Sequence, residues 1–183
     1  MITKEEAVGL LEANVSNRNL RKHVVAVSAI MGALARRLGG DEGTWALTGL
    51  LHDVDYERLG GDMDRHGLAS AEMLEGALPE ECLHAIRAHN PRTGAEAESL
   101  LDKCLLSADA ASGLVVAAAL VMPSRRLSDV RVQTLKNKMR DRSFARGVSR
   151  EQIRACSEIG LELDKFLEIA LDAMKAVHDQ LGL

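Results

Sequence analysis

The stretch Leu50-Leu51-His52-Asp53-Val54-Asp55-Tyr56 decides how this chain is read. An apolar run ends on a histidine and an aspartate side by side, and both are metal-binding side-chain types. A packed core does not favour that pair, because a buried carboxylate is costly unless it is paired or coordinated. His23 lies upstream, and His66, His89 and Asp109 lie downstream. Four imidazoles and two carboxylates in this order predict one mixed nitrogen and oxygen metal site with room for two ions.

Around the doublet nearly every segment reads as helix. Thr3 and Glu6 form a capping-box pair ahead of Val8, Leu11 and Val15. A helix is expected from about Asn19 to Leu38, with His23, Val27, Ile30 and Leu34 on one face and Gly39-Gly40 as its stop. Asp41 is suited to cap a third helix that carries Trp45, Leu47, Leu50 and Leu51 to the doublet. The polar stretch Asp55 to Arg65, with Gly60-Gly61, reads as a loop. Helix is expected again from about His66 to Glu75, from Pro79 to His89, and from about Ala95 to Met122, where Pro123 ends it. Ser149 and Gln152 then begin a terminal helical region, broken near Gly160. The expectation is an all-α fold in one domain over residues 1–183, with the metal-site core over about 20–122 and a C-terminal helical extension over about 124–183.

Composition narrows the function. The 183 residues are 46% apolar, enough for a sizeable core, and 23 basic against 27 acidic residues leave a net charge of −4. That balance gives no global pull toward nucleic acid or an anionic membrane. The four aromatics, Trp45, Tyr56, Phe144 and Phe166, are too few for a surface that stacks successive bases, although Tyr56 or Trp45 would serve a pocket for one base. Cys82, Cys104 and Cys156 are odd in number and widely spaced, and read as reduced thiols. The first six residues are acidic where a signal peptide is basic. The apolar run Leu114–Met122 is far short of the ~20 residues that span a bilayer. A cytoplasmic protein is expected, with neither membrane nor nucleic acid as partner.

Neutral imidazole and carboxylate both ligate divalent cations. His23, His52, Asp53 and Asp109 together suit one ion. His66 and His89, each at the margin of an expected helix, suit a second, with Asp53 able to bridge both. His84 competes with His89, but residues five apart point about 140° apart on a helix, so only one can face the site. His89 is preferred because Asn90-Pro91 opens the helix there.

The order His23, His52-Asp53, Asp109, with His66 and His89 between, resembles the HD-domain metal-dependent phosphohydrolase superfamily over roughly residues 20–122. The two additional histidines resemble its dinuclear members. From Ala108-Asp109 onward the chain is also similar to a little-characterised bacterial and archaeal group of predicted HD hydrolases, a similarity that brings no substrate with it. The resemblance implies an HD-domain helical bundle with one or two divalent ions (Mn, Fe, Ni, Co, Zn or Mg). It also implies hydrolysis of phosphoric esters by metal-activated water, with Asp53 and His52 as the catalytic doublet. The sequence departs from the common HDIG continuation, since Val54-Asp55-Tyr56 follows. The Lys and the GYP motif of cyclic-dinucleotide phosphodiesterases are absent. Asp55, Glu57 and Arg58 stand near enough to be weighed as a general acid.

The expected activity is that of a phosphomonoesterase or phosphodiesterase on a small phosphorylated metabolite, with a nucleotide as the favoured class. Two alternatives stay open at this level: an HD-fold dinuclear iron oxygenase with the same ligand order, and a non-catalytic metal- or ligand-binding regulatory module. The nine Lys and Arg residues from Arg125 to Arg150 read either as a solvated face or as a source of phosphate contacts, with Arg125, Arg126, Lys136 and Lys138 as candidates. His178 is assigned no function.

Overall fold

The computed structural model describes residues 1–183 as helices joined by turns, with no strand. The local signals act where they were expected. Thr3 and Glu6 close a reciprocal capping box on α1 (Lys4–Asn14). Asn17 caps α2 (Arg18–Leu38), which Gly39 ends in the left-handed region at φ 80°. Asp41 caps α3 (Glu42–Leu51). After the turns that follow the doublet come α4 (Leu68–Met73), α5 (Glu80–Ala88) and α6 (Leu100–Leu120). The chain closes with α7 (Val132–Arg140), α8 (Arg150–Arg154), α9 (Leu163–Ala176) and α10 (His178–Leu181).

Helix α6 is the axis of the bundle. It packs against α2, α3, α5, α7, α8 and α9. A helix surrounded on all sides must be apolar all round, and Leu105, Ala108, Ala111, Leu114, Val115 and Ala118 are all fully buried. This central position accounts for a helix that is long and apolar enough, by length and composition, to cross a membrane. Helices α2 and α3 approach so closely that a Cβ on Gly49 would stand 3.0 Å from the Ser28 backbone. The Ser28 hydroxyl donates to the Ala46 carbonyl across the same contact at 2.8 Å. A side chain larger than hydrogen at position 49 would push apart the two helices that carry His23 and His52.

Two boundaries differ from expectation, each for a local reason. Helix α6 begins at Leu100 and not near Ala95, because Ser99 and Asp102 form a capping box that sets its first turn. The helix expected from His66 begins at Leu68, because Gly67 takes φ 88° and cannot continue a helical turn. The C-terminal helical extension after Pro123 packs onto the bundle: Phe166, Leu167, Ala170, Leu171 and Met174 belong to the same buried cluster as Val27, Ile30 and Leu34.

Asp102 ties α5 to the start of α6. One carboxylate oxygen accepts from the amides of Glu98 and Ser99 and from Nδ1 of His84 at 2.9 to 3.0 Å. Burial opposes its charge, but the bonds from Ser99 prevail and hold the carboxyl below its ordinary value of 3.8. Replacing it by alanine leaves three donors unmatched, so Asp102→Ala should cost about 1–3 kcal/mol in urea unfolding at neutral pH. A group whose folded pKa is depressed stabilises above its unfolded pKa and stops doing so as pH falls through the folded value. The difference between parent and variant should therefore shrink below pH 3.8. An equal difference at neutral and strongly acidic pH would contradict this role.

Candidate metal centre

The doublet sits where α3 unwinds, with His52 as its C-terminal cap residue. The backbone then turns through residues 52–67, and both side chains point inward. His23 arrives from the first turns of α2, His66 from the last turn before α4, His89 from the end of α5 and Asp109 from the middle of α6. All six residues predicted to meet are brought together. Asp53 stands at their centre: Oδ1 lies 3.2, 3.3 and 3.4 Å from Nε2 of His52, His66 and His89, while Oδ2 lies 3.5 Å from Nε2 of His23. Asp109 Oδ1 lies 3.1 Å from Nε2 of His23 and 4.0 Å from Nε2 of His52. His52 thus falls in both ligand groups that the geometry defines, one with His23 and Asp109 and one with Asp53 and His89. The expected partition set His52 with His23, Asp53 and Asp109; in the structure His52 Nε2 also borders His89.

Each imidazole is fixed through its other nitrogen. His52 Nδ1 donates to the Gly49 carbonyl at 2.9 Å, and His89 Nδ1 donates to the Ile86 carbonyl. His66 Nδ1 donates to the Asp55 carboxylate at 2.9 Å. The Ser112 hydroxyl gives its proton to the Asp109 carbonyl and so accepts from His23 Nδ1 at 3.1 Å. With every Nδ1 committed as donor, all four Nε2 lone pairs are turned to the centre. This is how metal-ligating histidines are held.

Two observations show that the donors fit a cation. His52 Nε2 is fully buried without a hydrogen-bond partner, and such atoms are rare because they forfeit their desolvation cost. Nε2 of His66 and Nε2 of His89 stand 3.0 Å apart. Two lone pairs at that distance repel each other unless a proton or a cation accepts them. The protonation energetics agree. Burial pushes His52 down to about 4. Burial also opposes a charge on His66, but its bonds to Asp53 and Asp55 prevail and push it up to about 9. Asp53 stays ionised despite burial, chiefly because of His52 beside it, and Asp109 does so through its bond with His23. The centre is an anionic pair that draws positive charge to itself, as the proton held on His66 shows, and a divalent cation among the same donors would supply that charge.

A cavity of about 560 Å³ opens over this cluster. His23, Asp53, His66, His89 and Asp109 reach it, whereas His52 lies behind Asp53 and does not. His52 therefore cannot touch a substrate, and its part in any chemistry runs through a bound cation. Tyr56 lies at the cavity, half-exposed, its ring edge-on to His66 at 5.2 Å. Trp45, the other candidate for stacking a base, is buried against Gly40 and is not available.

Several expectations are corrected here. Asp55 is not free to act as an acid: it is buried, it holds His66, and its second oxygen accepts from the amides of Gly67 and Ser70 at 2.8 and 2.9 Å. Glu57 accepts from Ser16 and Asn17 ahead of α2, and Arg58 reaches Asn14. His84 is spent on Asp102. Of the basic candidates, Arg125 and Arg126 line a separate cavity near the C-terminus, Lys136 pairs with Asp164, and Lys138 lies over the Phe144 ring. None of the four lines the metal-site cavity, which the basic segment reaches only at Gly147. Sequence reasoning missed Asn19, a lining residue whose side chain makes no internal bond, and Asn90, whose amide holds the carbonyls of Met63 and His66. Nothing in the periodicity of α2 singles out Asn19. Asn90 was visible only as a helix stop.

Asp55 offers the sharpest test of this arrangement. Asp55→Asn keeps the shape but weakens the acceptor for His66 Nδ1, so the ring loses basicity and orientation. Metal affinity should fall about 10–100-fold in a titration of chelated protein, with the far-ultraviolet spectrum unchanged. Unaltered affinity would show that Asp55 does not orient a ligand.

The HD domain family matches residues 20–114, just over half of the 183 residues. No curated protein and no solved structure matches the chain. The matched span runs from the start of α2 through the middle of α6 and takes in all six clustered donors, and on that ground the chain belongs to the HD domain family.

Proposed function

We propose that the protein is a metal-dependent phosphohydrolase acting on a small phosphorylated metabolite, with a nucleotide as the favoured class. HD domain proteins are generally metal-dependent phosphohydrolases. The observation that carries the reading for this chain is the cavity itself: three imidazoles, His23, His66 and His89, and two carboxylates, Asp53 and Asp109, line it with His52 behind them, and none of its lining residues is Lys or Arg. A phosphate entering such a pocket meets two carboxylates, so its charge would need to be neutralised by cations that the donors would hold, since no Lys or Arg there supplies it.

Divalent cations bound at these donors would polarise a phosphoryl oxygen and lower the pKa of a water. The chain supplies the rest. His23, His52, His66 and His89 keep their Nε2 atoms aimed inward through bonds made by Nδ1 on the far side of each ring. Preorganised donors of this kind cost no rearrangement when charge develops. Asp53 presents one oxygen to His23 and the other to His66, so its carboxylate would serve as a ligand on either side of the cluster. Asn19 and Tyr56 are the polar lining side chains with no hydrogen bond inside the protein, and they are left to meet the substrate. The Tyr56 hydroxyl is the single O–H donor among the lining residues. Its half-exposed ring supports the nucleotide reading, because stacking on one base contributes about 1–3 kcal/mol.

The test is a panel of phosphomonoesters, phosphodiesters and nucleotides, run with Mn, Mg, Co, Ni, Fe and Zn after chelation. Chelation should abolish activity and one or more metals should restore it. Asp53→Ala should abolish both activity and metal binding while the protein stays helical. On a nucleotide, Tyr56→Ala should raise KM about tenfold or more, and Tyr56→Phe should leave KM nearly unchanged. No turnover on any ester, together with iron bound in protein purified without air, would overturn the hydrolase and favour an oxygenase.

A further inference from the structure

A second cavity, of about 680 Å³, lies beside the metal-site cavity. Arg140, Arg142, Arg146, Arg150 and Arg154 line it, with Glu151 as its single carboxylate. Five guanidinium groups around one concavity repel one another, and this occurs in a chain whose net charge is −4. Arg36, Arg65, Arg87 and Arg92 each meet a carboxylate elsewhere on the surface. The side chains of Arg140, Arg142, Arg146 and Arg154 make no ion pair and no hydrogen bond. They are left to an anion from outside.

The concavity is also built to keep its shape. Arg150 directs its two terminal nitrogens to the carbonyls of Lys138, Asp141, Phe144, Ala145 and Val148. One side chain thereby binds the turn after α7 to its own helix, α8. Val148 seats that turn on α6, 3.1 Å from where a Cβ on Gly113 would stand. The four free arginines are thus carried on a braced wall.

Position gives the cavity its meaning. Gly147 lines the metal-site cavity, while its neighbours Arg146 and Val148 line the arginine cavity. The two cavities are thus lined by consecutive residues of one turn, and consecutive Cα atoms are only about 3.8 Å apart. Gly147 carries no side chain to stand between them. Arginine recognises phosphate through paired N–H bonds, and four free forks exceed what a single phosphate can engage.

We propose that the arginine cavity binds a polyphosphate chain of two or more phosphates, either free or carried by a nucleoside, and that this chain continues from the metal-site cavity. The link to the metal site rests on the hydrolase reading, whereas binding in the arginine cavity does not. The test uses chelated full-length protein at low ionic strength, titrated calorimetrically with sodium tripolyphosphate, adenosine triphosphate and orthophosphate.

Tripolyphosphate should bind saturably at one site per chain, and orthophosphate at least about tenfold more weakly. The double variant Arg142→Ala/Arg146→Ala should lose about tenfold or more in tripolyphosphate affinity. The control Arg36→Ala/Arg65→Ala, which removes the same charge elsewhere, should lose far less. Tighter binding of adenosine triphosphate than tripolyphosphate assigns the ligand to nucleoside polyphosphates, and the reverse order assigns it to free polyphosphate. Absence of saturable binding, equal losses in the two double variants, or orthophosphate binding as tightly as tripolyphosphate would each overturn the proposal. Chelated protein turns nothing over, so these outcomes are independent of whether the enzyme hydrolyses esters. Tripolyphosphate bound as predicted by a protein inert in the ester panel would sink the hydrolase reading alone.

Discussion

A carboxylate with four imidazoles around it sets the terms for this structure. Asp53 is 6% exposed, and an ionised group at that depth is tolerated only with close opposite charge or coordination. The surrounding nitrogens meet that demand only in part: His66 holds a proton against Asp53, but His52 is held neutral by burial and each Nδ1 proton is already donated away from the centre. The architecture around Asp53 can be traced to that demand. Helix α2 touches α3 backbone to backbone at Gly49, which brings His23 and His52 to one place. Helix α5 ends at His89, and α6 runs through the middle of the bundle so that Asp109 closes the opposite side.

The turns between α3 and α4 show how irregular backbone can be made exact enough for a ligand. Asp55 accepts from His66, Gly67 and Ser70 and receives nothing from solvent, being 1% exposed. Gly67 lies so close to α5 that a Cβ there would stand 2.7 Å from the Ile86 carbonyl, the same carbonyl that orients His89. His66 and His89 are therefore positioned together, through one buried carboxylate and one glycine.

Much of this was legible in the residues. Capping signals at Thr3 and Glu6, Asp41, and Ser149 with Gln152 act locally, so their effect needs no knowledge of the fold. The doublet was legible because an acid and an imidazole at the end of an apolar run have few structural uses. The role of Asp55 was not legible, since its partners lie 11 to 15 residues ahead across turns that no periodicity describes. The basic segment was legible in composition but not in direction. Lys136 meets Asp164 on α9, and only the folded turn places Arg142 and Arg146 on the wall next to Gly147. The start of α6 was misplaced because residues 95–98 are compatible with helix, while the capping box at Ser99 and Asp102 decides the matter.

Anomalous diffraction at the manganese edge, on crystals of the chelated protein soaked in that metal, tests the central claim most directly. The account predicts two peaks about 3.5–4 Å apart with Asp53 between them. Each peak should lie at ligand distance from the Nε2 atoms that face it. Peaks confined to other parts of the molecule, with none in reach of Asp53, would contradict it.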